Sequence, residues 1–177
     1  PRHASGTLSA APAAPAADLT VWPPRDATPL DAADMYDRYA AAGFGYGPAF
    51  QGLRMAWRRG DELFAEVVLP DDQQDAARHF GLHPALLDAA LHVTGLADAA
   101  EARLPFSWNG MSLHAQGATA LRVRIAPAGQ DAVSVHVADP AGRPVASVES
   151  LALRPPAEDA VRAPGADAVF RPAWTPV

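Results

Sequence analysis

His83-Pro84-Ala85-Leu86-Leu87-Asp88-Ala89-Ala90-Leu91-His92-Val93-Thr94-Gly95-Leu96 is the stretch whose reading decides the fold. Pro84 suits a first helical position, where a backbone N–H has no partner inside the helix and its absence is harmless. Ala85, Leu86, Leu87, Ala89, Ala90, Leu91, Val93 and Leu96 then occupy most sides of the helix. The spacing predicts a helix from Pro84 to Leu96 that is buried rather than amphipathic. A helix of that kind needs other elements to cover it.

The sequence to its C-terminal side supplies them with period two. Met111, Leu113 and Ala115 form one apolar set, Leu121, Val123 and Ile125 a second, and Val133, Val135 and Val137 a third. Val145, Val148, Leu151 and Leu153 form a less regular fourth, with a bulge expected between Val145 and Val148. Arg122, Arg124, Ser134 and His136 take the alternate face. On the N-terminal side, Gln51 to Arg58 and Glu62 to Leu69 read as strands joined by Arg59-Gly60-Asp61. Asp71 to Arg78 reads as a polar helix or an irregular connection. Upstream, Asp31 or Asp34 can cap a helix through Met35, Tyr36 and Tyr39 that ends at Gly43. Periodicity supports an α+β chain with an antiparallel sheet of five or six strands. The order of two strands, one apolar helix and a further run of strands suggests a sheet wrapped around that helix, the hot-dog architecture.

Length and composition set outer bounds. The chain has 177 residues, 49% of them hydrophobic, which suits one domain with a real core. Its formal charge is −6, and the 14 basic residues are scattered, which argues against a nucleic-acid binder. There is no cysteine, hence no disulfide, no thiolate nucleophile and no cysteine zinc site. No apolar run approaches the about 20 residues that span a bilayer, so no membrane segment is expected.

Asp88 is the first candidate for chemistry. A carboxyl inside an apolar helix is expensive to ionise unless paired, and a carboxyl kept protonated near neutral pH can serve as a proton donor. The plainer alternative is that Asp88 lies on a wetter stripe. His92, four residues on, shares the helical face and could hydrogen-bond the carboxyl; the plainer alternative is a satisfied core histidine. His79 and His83 have poor spacing for a metal site with Asp88 and His92. Ser107 and Ser112 lie in no nucleophile pattern, and Gly43 to Gly47 is not a phosphate loop. Tyr46 and Trp108 either line a pocket or are plain core. Arg122 and Arg124 form either a docking patch or a solvated strand face.

Three stretches carry a family resemblance. Gly45-Tyr46-Gly47-Pro48-Ala49-Phe50-Gln51-Gly52-Leu53 resembles a "YGPxFQGL" motif, His83 to His92 an "HPALLDAALH" helix, and Leu104-Pro105-Phe106-Ser107-Trp108 an "LPFxW" strand followed by Ser112-Leu113-His114-Ala115. All three are similar to motifs of the dehydratase domains of modular type I polyketide synthases, in the same order and over roughly Tyr36 to Arg154. The resemblance implies two fused hot dogs in one chain, of which this would be the second, C-terminal one. It implies loss of water from a 3-hydroxyacyl thioester on an acyl carrier protein, giving a 2,3-enoyl thioester, as in antibiotic biosynthesis. It implies that Asp88 protonates or hydrogen-bonds the departing hydroxyl and that His92 orients Asp88. Tyr46 would lie near the leaving hydroxyl, Gly47 and Pro48 beside it would help bind the substrate, and Pro105, Phe106 and Trp108 would shape the acyl tunnel.

The family's base, a histidine in an "HxxxGxxxxP" motif of the first hot dog, has no counterpart here. His3 is followed by Gly6 at the wrong spacing and by no matching proline. The chain alone is therefore expected to be catalytically silent and prone to self-association through the face that meets the first hot dog. The expected organisation is residues 1–8 as the tail of the first hot dog, 9–30 as a linker with Trp22-Pro23-Pro24 docking it, 31–156 as the C-terminal hot dog, and 157–177 as a linker into a following ketoreductase domain. Pro1 to Gly6 show no signal-peptide pattern and read as a cut within a longer cytoplasmic polypeptide. Expected partners are the carrier protein, the N-terminal hot dog and neighbouring domains of a homodimeric synthase. No metal or organic cofactor is expected, the phosphopantetheine arm arriving with the substrate. Other readings are a double-bond isomerase or cyclase on the same fold, a non-catalytic structural dehydratase-like domain, and a single hot-dog thioesterase.

Overall fold

The computed structural model describes residues 5–8, 17–97 and 103–155. Residues 1–4, 9–16, 98–102 and 156–177 lie outside that set, and with them half of the expected first-hot-dog tail, about a third of the linker and the whole segment expected to lead into the next domain.

Alternating apolar residues build one antiparallel sheet. Its strands are β1 (Thr28–Leu30), β2 (Leu53–Arg59), β3 (Glu62–Val68), β4 (Leu104–Leu113), β5 (Ala120–Pro127), β6 (Ala132–Ala138) and β7 (Pro144–Arg154). They lie in the order β1-β2-β3-β5-β6-β7-β4, seven strands where five or six were expected. The extra one is β1, at the end of the expected linker, whose Thr28, Pro29 and Leu30 pair with Arg58, Trp57 and Ala56. Three residues carry too little periodicity to read as a strand.

Helices fill the connections: α1 (Met35–Ala41), α2 (Asp71–Ala77), α3 (Pro84–Leu91) and α4 (Thr94–Ala97). The long apolar helix is thus shorter than its spacing predicts. Thr94 donates its hydroxyl to the Leu91 carbonyl at 2.7 Å and so competes for a carbonyl near the helix end. Val93, Thr94 and Gly95 are weak helix formers, and the chain turns there before α4. Its start is fixed by a feature the residue pattern did not show. His83 Nδ1 accepts the Ala85 N–H at 3.3 Å, so this buried histidine is the N-cap of α3. Asp34 stands at the N-cap of α1 without capping it through its side chain, whereas Asp31 Oδ1 accepts the Ala33 N–H at 3.0 Å.

The sheet curls around α3, as the hot-dog expectation requires. Ala85, Leu86, Ala89 and Ala90 share one core with Leu63, Ala65 and Val67 of β3, Leu121, Val123 and Ile125 of β5, Val135 and Val137 of β6, and Val148, Leu151 and Leu153 of β7. Close approach at one point needs glycine: a Cβ on Gly52 would stand 3.0 Å from both the Ala89 Cβ and the Val68 carbonyl oxygen. The irregularity expected between Val145 and Val148 flanks that stretch: the pairing skips Val145 itself, between Ala146 and Pro144. Ser147 and Ala146 pair regularly with His136 and Val137, while the register shifts between Val133 and Val135, opposite Leu151 and Val148, and again at Ala138.

The outer face of the sheet is covered by the segment before β1. Trp22 packs edge-on against Trp57 and Phe64, at centroid distances of 5.6 and 6.0 Å, and donates Nε1–H to Glu66 at 2.6 Å. Arg122 donates to the Leu19 carbonyl at 2.9 Å and lies over the Trp22 ring; Arg124 pairs with Glu62. The two arginines therefore hold chain segments together, which is neither a docking patch nor a bare solvated face.

Candidate active site

The C-terminal end of α3 gathers the titratable groups. His92 is 4% exposed and Asp88 is 40% exposed at its side chain, with Nε2 and Oδ2 3.1 Å apart. The wetter-stripe reading of Asp88 holds in part: Leu87 and Asp88 form the less covered side of α3, while Ala85, Leu86, Ala89, Ala90 and Leu91 are buried. Helical i,i+4 spacing brings the pair together, as anticipated.

All three tyrosines of the chain surround His92. Ring centroids of Tyr36, Tyr39 and Tyr46 lie 5.6, 5.9 and 4.2 Å from the imidazole. Tyr39 donates its hydroxyl to the His92 carbonyl at 3.0 Å, and Tyr36 Oη lies 3.2 Å from His92 Nδ1. Gly95 makes room for this, since a Cβ there would fall 1.8 Å from the Tyr39 hydroxyl. Burial pushes the Tyr39 phenol up to about 12. Burial, then the negative charge of Asp88, raises that of Tyr46, so its hydroxyl keeps its proton at neutral pH and can donate to a ligand. Tyr36 and Tyr39 carry no signal as site residues, because their contacts with His92 span more than fifty positions of sequence.

Asp88, His92, Tyr39 and Tyr46 open onto a cavity of about 330 Å³, at the lower end of the range for small-molecule pockets. Leu63, Leu91, Ile125, Val133 and Leu153 give it apolar walls, Pro105 contributes from β4, and Arg58, Asp61 and Arg103 also line it. Gly47 and Pro48 stand outside the lining. Gly47 caps the short 3-10 turn Pro48–Phe50, and Gln51 donates to the Tyr46 carbonyl at 2.8 Å, so these residues fix the loop that presents Tyr46. Phe106 and Trp108 also stand outside it. They lie on the edge strand β4, 59% and 36% exposed, with the Arg154 guanidinium 3.5 Å from the Phe106 ring centroid. Of the expected site residues, the structure thus brings Asp88, His92, Tyr46 and Pro105 together at the cavity and leaves Gly47, Pro48, Phe106 and Trp108 outside its lining. His79 and His83 join no metal cluster: among the described residues no group of three or more His, Asp or Glu could hold a metal ion. No helix among them is long and apolar enough to cross a membrane.

Known proteins share both sequence and fold. Residues 14–163 match a family model described as "Polyketide synthase dehydratase N-terminal domain". The chain is 53% identical over 188 residues to polyketide synthase GfsA of Streptomyces halstedii, covering 99% of this chain and 2% of that protein. It is 51% identical over 184 residues to mycoketide-CoA synthase of Mycobacterium tuberculosis, covering 98% of this chain and 4% of that one. It therefore spans only a few per cent of the length of these relatives. Among solved structures, a dehydratase studied for substrate selection in the borrelidin and fluvirucin polyketide synthases superposes with a TM-score of 0.77 at 48% identity, over 83% of this chain and 52% of that one. The dehydratase domain from the terminal module of the rifamycin polyketide synthase gives 0.75 at 48% identity, over 82% and 53%. Two substituted forms of the CurK dehydratase of the curacin synthase, one Asp-to-Asn and one His-to-Phe, are described as inactive and superpose at 0.69 with 26% and 27% identity, each over 76% of this chain and 50% of that one. The antiparallel sheet around α3 is the hot-dog fold of these enzymes, and the chain belongs to the polyketide synthase dehydratase family.

Proposed function

We propose that this chain is the C-terminal hot dog of a polyketide synthase dehydratase, and that it supplies the acid for loss of water from a 3-hydroxyacyl thioester carried by an acyl carrier protein. The observation that carries the reading is the Asp88–His92 pair at the opening of an apolar cavity, within a chain of this family. Asp88 gives its proton to the departing 3-hydroxyl as the C3–O bond breaks, and water leaves. A histidine of the N-terminal hot dog takes the proton from C2, and the C2–H electrons become the C2=C3 bond of the enoyl product. His92 orients Asp88, Tyr46 donates to the leaving oxygen, and the apolar walls hold the acyl chain. The phosphopantetheine arm belongs to the carrier protein, and the step uses no metal or cofactor of this chain.

Three observations support the half-domain reading. The chain covers about half of each dehydratase structure it superposes on. The two inactivating positions in the curacin enzyme lie farther apart than the whole stretch preceding Asp88 here, which fits a base lying outside this chain. β4 is a ten-residue edge strand with Leu104, Phe106, Trp108, Met111 and Leu113 exposed, which fits a second hot dog placed against it. Phe106 and Trp108 would then shape the tunnel from that junction. The family model's own description names an N-terminal domain; the placement proposed here rests on the aspartate helix and on β4. The remaining parts of the reading are a homodimeric cytoplasmic synthase and a following ketoreductase.

The test is a product assay. The complete double hot dog is given a 3-hydroxyacyl carrier-protein thioester and the acyl mass is followed. Loss of one water, reversible from the enoyl side, is expected. Unchanged 3-hydroxyacyl thioester would leave the structural reading, and migration of a double bond without water loss would leave the isomerase reading.

A further inference from the structure

Behind His92 lies a residue that dehydration chemistry does not touch. Tyr36 Oη accepts the Leu53 N–H at 3.0 Å and stands 3.2 Å from His92 Nδ1 and 3.5 Å from the Phe50 carbonyl. A phenol has one proton to give. The Phe50 contact is at the outer limit of a hydrogen bond, whereas the imidazole contact is within range. Given to the nearer of its two acceptors, the hydroxyl proton goes to Nδ1. Nδ1 is then an acceptor, and neutral His92 carries its own proton on Nε2, 3.1 Å from Asp88 Oδ2.

We infer that Tyr36 is a positioning residue that sets the tautomer of His92 and, through it, decides which oxygen of Asp88 carries the acid proton. The inference rests on the reading of Asp88 as the acid. With Nε2–H donating, Oδ2 can only accept, so the carboxyl proton resides on Oδ1, the oxygen left free for the substrate. With the opposite tautomer, the Nε2 lone pair would draw that proton to Oδ2 and hold it between aspartate and histidine, away from the leaving hydroxyl. When Oδ1 gives up its proton, the same Nε2–H stabilises the carboxylate that forms. Burial raises the pKa of Tyr36, so the phenol keeps the proton this arrangement requires.

The test uses the complete dehydratase. Tyr36→Phe is expected to lower kcat about tenfold with KM within about twofold, as for an interaction acting on the chemical step. In a His92→Gln background the same change is expected to cost less than about threefold, because an amide has no tautomer to set. Equal losses in both backgrounds, or no loss in the first, would overturn the inference while a dead Asp88→Asn variant left the acid reading standing. An active Asp88→Asn variant would remove both. Should Tyr36→Phe fail to fold, nitrogen NMR of the unaltered enzyme decides, with His92 assigned by difference from His92→Gln. A proton on Nε2 is expected, and a proton on Nδ1 would overturn the inference.

Discussion

His83–His92 and Leu104–Trp108 both match family motifs, yet the structure treats them in opposite ways. The first is enclosed by its own chain: His83 caps α3, Leu86 and Ala89 are fully buried, and three tyrosine rings pack around His92. The second lies along a sheet edge with Leu104, Phe106 and Trp108 exposed, and only Leu104 and Pro105 reach the cavity. A residue satisfied within the chain contributes stability and geometry there. A residue left exposed contributes little until something meets it, so the two stretches should separate sharply when stability is measured.

Leu86→Ala should give the largest loss, about 2–5 kcal/mol, because it leaves a cavity between α3 and the sheet. Urea unfolding of the chain measures it, and a loss below 1 kcal/mol would remove α3 as the centre of the core. Trp22→Ala should cost about 2 kcal/mol, since it uncovers Trp57 and Phe64 and leaves Glu66 without its indole donor. A subtler effect follows from the three tyrosines. Folding raises all three phenols, so they hold protons that the unfolded chain releases near pH 10. Their contribution to stability is complete below that pH and declines as pH rises through the folded values, Tyr39's being about 12. Tyrosinate absorbance reads this cluster alone, because the chain has no other tyrosine. Asp88→Asn should shift the Tyr46 titration downward by removing a nearby negative charge. Phe106→Ser should do least, less than about 1 kcal/mol, mainly from the lost Arg154 contact.

Much of the fold was legible in the residue pattern because β5, β6 and the α3 core alternate with clear periods. β1 was too short to show a period, and α3 ended early through Thr94, a local competition that apolar spacing does not report. The Asp88–His92 pair was legible because helical spacing is local. Tyr36, Tyr39 and the capping role of His83 were not, since they depend on tertiary contacts or on which ring nitrogen faces a backbone amide. A motif marks Phe106 and Trp108 as tunnel residues, whereas within this chain both are exposed on β4.

The acid role of Asp88 is tested most directly by Asp88→Asn in the complete dehydratase, with unfolding and dehydration measured on the same preparation. A fall in kcat of at least about a hundredfold is expected, with stability changed by less than about 1 kcal/mol, since the side chain is partly exposed and stands apart from the apolar core. Dehydration within about threefold of the unaltered enzyme would contradict it and leave Asp88 as a surface partner of His92.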